Sequence, residues 1–157
     1  MWIQTSITIE APREEVWRTF LDVERWPQWS PWRLRFEQKP RFELGTPFRV
    51  GVRAPALPFI TLMFACRVTA LDNPRRISWS GRFLGVPGYH QFTFEDDQAG
   101  CLLVSLEVFQ GPFAPLLSLL RPVLRRQSGR FMACLRAAAI ARANGSSDAC
   151  GVLPYSP

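Results

Sequence analysis

Histidine occurs once in the 157 residues, at position 90, and lysine once, at position 39. A lone imidazole leaves no set of histidine ligands for a metal centre. The four cysteines, Cys66, Cys101, Cys134 and Cys150, lie too far apart to form a Cys-x-x-Cys pair. They read as reduced, mostly buried thiols, and no metal is expected. No Gly-rich phosphate loop is present, so no cofactor is expected. No apolar run approaches the roughly 20 residues of a membrane span, and Met1 to Glu10 has neither the charged start nor the apolar stretch of a secretory leader. These absences point to a cytoplasmic protein without stable membrane insertion. Acidic residues are missing between Glu107 and Asp148, a stretch that holds Arg121, Arg125, Arg126, Arg130, Arg136 and Arg142, so the formal charge of +6 is concentrated there.

Apolar and aromatic side chains are plentiful: 47% of residues are hydrophobic, with 6 Trp and 12 Phe. That is ample for one large core in a chain of single-domain length. One domain over residues 1–143 is expected, followed by a flexible tail over 144–157. No internal repeat or linker divides it.

Trp2 to Glu10 alternates, with Ile3, Thr5, Ile7 and Ile9 on one face, and predicts a strand. Pro12 with Glu14 and Glu15 opens a short helix carrying Val16, Trp17, Phe20 and Leu21 at helical spacing. Asp22 to Trp32, with two prolines and three tryptophans, suits one helical turn and a loop. From Arg33 to Gly111 the period is two, broken by turn residues into six further strands, with Phe48, Val50, Phe64 and Trp79 on the apolar face. The last two form a hairpin, Tyr89–Glu95 and Cys101–Phe109, around the polar turn Asp96 to Gly100. The expected register turns His90, Phe92, Phe94 and Leu106 inward and Glu107 outward with Ser105 and Phe109; a slip of one residue would reverse Glu107. Phe113 to Arg142 has helical period, with Leu116, Leu120, Val123, Leu124, Gln127, Phe131, Leu135 and Ala138 on the side facing the sheet. Five arginines lie on the other side, and Pro122 should interrupt or kink the helix near Arg121.

Strand, two short helices, six strands in meander order and a long closing helix resembles the helix-grip fold of the START-like and polyketide cyclase/dehydrase-like superfamily. The text is similar too: Ile7 to Trp17 runs from an alternating strand into Ala11-Pro12-Arg13-Glu14-Glu15-Val16-Trp17, and Trp29-Ser30-Pro31-Trp32 matches the family's Trp-Asn-Pro-aromatic segment with Ser for Asn. Pro74 to Trp79, Gly88 to Phe94 and Glu107 to Gly111 follow in the order of the polyketide cyclase/dehydrase-like branch. The resemblance covers residues 3 to 142. It implies an α+β fold with a curved seven-stranded antiparallel sheet wrapped around the C-terminal helix, and an internal cavity for a lipid, sterol-like or polyketide-like molecule.

Candidate ligand-binding residues are Trp29, Trp32, Phe48, Val50, Phe64, Trp79, His90, Phe92, Phe94, Leu106, Gln127 and Phe131. The same aromatics would equally make a solid core. His90 could orient a ligand carbonyl or act as acid and base in a cyclase, aromatase or dehydratase, or simply bond a backbone carbonyl. Gln127 could hold a polar ligand group or cap a strand. Trp26, Trp29 and Trp32 suit either a gate or packing beneath the helix. With Glu107 outward no carboxylate completes an acid/base pair, so binding of a hydrophobic small molecule leads over catalysis. The outer arginines suggest a third reading, a membrane-surface or partner-binding face, against a merely solvated one; no nucleic acid is expected. A monomer or weak homodimer is expected.

Overall fold

The computed structural model describes residues 1–37, 41–53, 61–83 and 85–146. Strand β1 (Trp2–Ile9) runs into helix α1 (Arg13–Leu21) and the single turn α2 (Trp26–Trp29). Six strands follow: β2 (Arg33–Phe36), β3 (Pro47–Arg53), β4 (Thr61–Asp72), β5 (Arg76–Phe83), β6 (Val86–Asp97) and β7 (Gly100–Phe109). A 3₁₀ helix (Ala114–Leu120) and helix α3 (Arg121–Ala143) close the described chain. The antiparallel sheet has the order β1-β7-β6-β5-β4-β3-β2. Six strands of seven residues or more form its body, and the expected seventh is only the four-residue β2 at the edge.

Local chemistry accounts for these elements. Pro12 precedes α1 with the extended ψ that starts a helix, and Glu14 and Glu15 face its positive end. Val16, Trp17 and Phe20 bury one side of α1 against the sheet. A bulge in β4 between Val68 and Ala70 bends the sheet, and beyond it Leu71 packs against the core under α1.

The helical stretch over 113–142 is interrupted near Arg121, as Pro122 predicts. Pro122 sits in the first turn of α3, where its missing N–H costs nothing, and the preceding residues wind as a tighter 3₁₀ helix instead. With three residues per turn, Ala114 and Leu117 bury against Phe109 and Ile3, while Leu116, Leu120 and Val123 are exposed, contrary to the expected stripe. Further along α3 the inward face is Ser128, Phe131, Met132, Leu135, Ala138 and Ala139.

Two apolar clusters result. The larger lies under α1 and holds Trp17, Phe20, Ile77, Phe92, Phe94, Phe131 and Leu135; the smaller joins Ile3, Val86, Phe109, Ala114 and Leu117 at the other end of the sheet.

Candidate functional site

The β6–β7 hairpin sets the site. Its ladder closes at Asp97 opposite Gly100, leaving a two-residue turn instead of the five-residue turn expected. That changes the parity of β7: His90 lies opposite Glu107, Phe92 opposite Ser105 and Phe94 opposite Leu103. Glu107 and Ser105 therefore face inward beside His90. Leu106, expected inward, stands on the outer face between Gln91 of β6 and Gln4 of β1. The expectation failed because β7 is apolar on both faces: Leu102, Val104, Leu106 and Val108 outside, and Cys101, Leu103 and Phe109 inside. Gly100 holds the turn with φ +138°, and a Cβ there would come within 2.4 Å of the Ile9 carbonyl oxygen.

The polar groups now converge from three strands and a helix. His90 Nε2 is 2.9 Å from Ser105 Oγ, and Ser128 of α3 donates to the same Ser105 Oγ at 3.3 Å. If Ser105 in turn gives its proton to His90, Nε2 is the acceptor and the ring proton sits on Nδ1. Glu107 Oε1 stands 4.0 Å from Nε2, too far for a hydrogen bond. Thr5, opposite Ser105 on β1, has a buried hydroxyl with no hydrogen-bond partner among the described residues. The His90 ring lies against Trp79 and Phe92, with centroids 5.2 and 4.3 Å away.

Burial governs the charge of this cluster. It pushes the Glu107 carboxyl up to about 7 and the His90 imidazole down to about 3, so both tend to neutrality. Yet the two side chains keep 21% and 17% of their surface accessible, His90 and Glu107 respectively. Both side chains are therefore half-buried, with part of their surface still open.

The other expected site residues divide. Phe92, Phe94, Phe131 and Trp29 are packed into the core under α1. Trp26 is also buried, and its Nε1 donates to the Phe20 carbonyl at 2.8 Å. Trp32 stacks on Phe131 at 5.0 Å and donates from Nε1 to Gln127 Oε1 at 3.0 Å, which ties together two residues expected to act separately. On the far side Phe48 packs edge-on to Trp79, Val50 pairs with Phe64, and Phe64 stacks on Phe83. Ser105, Ser128 and Thr5 were not singled out as site residues; their signal is a small hydroxyl interrupting an otherwise apolar face.

Two depressions open elsewhere. One of about 240 Å³ lies between α1, α2 and the end of α3, beside Asp22, Trp29 and Arg142. One of about 670 Å³ lies over Ala65, Ser80, Arg82, Pro87 and Tyr89 on the sheet. Burial raises the thiols of Cys66 and Cys101 to about 11, which makes them poor nucleophiles; Cys134 is half-buried, and Cys150 lies outside the described residues. Among the described residues, no three His, Cys, Asp or Glu side chains are grouped to hold a metal ion, and no helix is long and apolar enough to cross a membrane.

Residues 2–140 match the family described as polyketide cyclase / dehydrase and lipid transport. The chain belongs to this family. Among curated proteins none matches it in sequence. Solved structures of other members of the fold superimpose well. The Zhui aromatase/cyclase from a Streptomyces species is 17% identical with a TM-score of 0.69, over 93% of this chain and 98% of that one. The di-domain ARO/CYC StfQ of the steffimycin biosynthetic pathway is 15% identical with a TM-score of 0.71, over 91% of this chain and 52% of that one. A protein from Mycobacterium smegmatis is 15% identical with a TM-score of 0.72, over 90% and 92%. At these identities the likeness shows the shared helix-grip architecture. The hydroxyls, imidazole and carboxyl of Thr5, Ser105, Ser128, His90 and Glu107 form a polar group beside aromatic side chains.

Proposed function

We propose that this family member binds a hydrophobic small molecule between the sheet and α3, with a carbonyl or hydroxyl oxygen of the ligand directed at Glu107 and His90. One observation carries the reading: Glu107 faces the interior, burial favours its neutral acid, and among the described residues nothing hydrogen-bonds its carboxyl. A buried carboxylic acid without a partner is costly, and a ligand oxygen would relieve it. Phe48, Phe64 and Trp79 would supply apolar contact, and Trp32 held by Gln127 would close the side under α2.

The test is native mass spectrometry of the purified protein, followed by solvent extraction and identification of what co-purified. A bound species of a few hundred daltons is expected, and Glu107→Leu should lose it while keeping its fold. Absence of any adduct, with no thermal shift against lipids and aromatic polyketides, would sink the proposal.

A second reading gains from the inward turn of Glu107. An acid and a base 4.0 Å apart could dehydrate a β-hydroxycarbonyl compound. His90 Nε2, released by Ser105, would take the proton α to the carbonyl, the β-hydroxyl would leave as water with the Glu107 proton, and the proton on His90 would return to Glu107. Under simple binding His90→Ala changes affinity by about fivefold or less; under catalysis it keeps affinity and loses about 100-fold or more in turnover.

A further inference from the structure

The 3₁₀ helix before α3 carries a row of apolar side chains turned away from the protein. In a 3₁₀ helix residues three apart eclipse each other. One such row, Ala114 and Leu117, is buried; the next, Phe113, Leu116 and Leu119, is exposed at 65%, 65% and 83%. Val123 in the first turn of α3 and Trp2 at the start of β1 are also more than half exposed. Isolated exposed leucines need no explanation, but a contiguous row of this kind marks a contact surface.

Its rim is positively charged. Arg121 lies over the Trp2 ring at 5.8 Å, and Arg125 and Arg126 are exposed one turn further on. The residues packed beneath the row, Ile3, Val86, Phe109 and Leu124, carry no charge, and no acid occurs between Glu107, which faces inward, and Asp148. Two copies meeting through this face would press like charges together. Nucleic acid would match the arginines but leave the apolar row in water.

We infer that this face docks on an anionic phospholipid bilayer: Phe113, Leu116 and Leu119 enter the boundary between headgroups and acyl chains, and Arg121, Arg125 and Arg126 engage the phosphates. The combination of an exposed apolar row and an arginine fringe is that of an interfacial segment.

Co-sedimentation with vesicles tests it. The protein is expected to bind phosphatidylcholine vesicles containing about 30% phosphatidylglycerol, and to bind pure phosphatidylcholine, or the mixed vesicles in about 1 M salt, about tenfold more weakly. Leu116→Ser with Leu119→Ser should cost about tenfold or more with an unchanged melting temperature, and Arg125→Ser with Arg126→Ser should remove most of the salt dependence. If the double leucine variant melts early, Leu119→Ser alone, at the most exposed position, carries the same test. No binding by the parent protein, binding that survives loss of the leucines, or a self-association that the leucine variant abolishes would each overturn the inference.

Discussion

Under α1 the interior is closed by rings: the Phe20 centroid is 4.8 Å from Phe92, 5.4 Å from Trp26 and 5.5 Å from Phe94, and Trp17 meets Phe94 edge-on at 5.1 Å. Two residues further along the same strands the lining changes to His90 and Ser105, then to Glu107, with Ser128 reaching down from α3. One end is filled and fully buried; the other keeps accessible polar side chains. The difference teaches that stability and chemistry are segregated along β6 and β7. The aromatic end holds the sheet to its helices, and that leaves the polar end free to carry groups that cost stability.

The sharpest way to break this comparison is to cut both ends. Phe20→Ala should cost about 3–5 kcal/mol in denaturant unfolding, the penalty of a large buried ring, whereas Ser128→Ala should cost under about 1 kcal/mol. Equal losses would mean that the two ends are one packed core.

Glu107→Gln sharpens it through pH. The folded carboxyl titrates near 7 against an ordinary 4.5, so the folded state holds the proton longer, and the stability associated with that group is lost as pH rises from about 4.5 to about 7. His90 works in the opposite sense: with its folded value near 3, stability falls as pH drops below about 6.5. Maximum stability is expected between about 4.5 and 6.5. The Gln variant should match the parent near pH 4 and exceed it by up to about 3 kcal/mol above pH 7, read from unfolding curves across pH. An identical pH profile for the two proteins would place Glu107 in ordinary solvent.

Gly81→Ala probes the boundary. Gly81 faces Gly88 across β5 and β6, and a Cβ there would meet Ala65 O at 2.7 Å and Cys66 Sγ at 2.8 Å. Overpacking of this kind costs about 1–3 kcal/mol. No change in melting temperature would show that the sheet gives way at this point.

Much of the fold was readable in the sequence because its periods are clean: β1 with Ile3, Ile7 and Ile9, α1 with Val16, Trp17 and Phe20, and the meander punctuated by Gly and Pro. The site was less legible. Its defining carboxylate depended on one residue of register in β7, and a strand apolar on both faces does not declare which one is buried. Leu116, Leu120 and Val123 were expected on the buried face for a related reason: a period of three and one of 3.6 diverge by only one residue over two turns, so the 3₁₀ winding before Arg121 reads as α-helical on paper. Trp29 and Phe131 are packed in the core under α1, and sequence does not separate a ring that lines a space from one that fills it.

The ion pairs of α3 have a mechanical consequence. Arg136 holds Glu10 with two bonds, and Arg142 reaches both Asp22 and Glu15, all toward the C-terminal end of the helix, beside the buried Leu135, Ala138 and Ala139. At 1.5 Å per residue, Arg121 lies about 22 Å from that fulcrum, so a tilt of only about 10° displaces the opposite end by about 4 Å. That end is held by lighter contacts, Gln127 to Trp32, Ser128 to Ser105 and Leu124 against the cluster around Phe109, so the groups that tether the long arm are the ones beside Glu107 and His90.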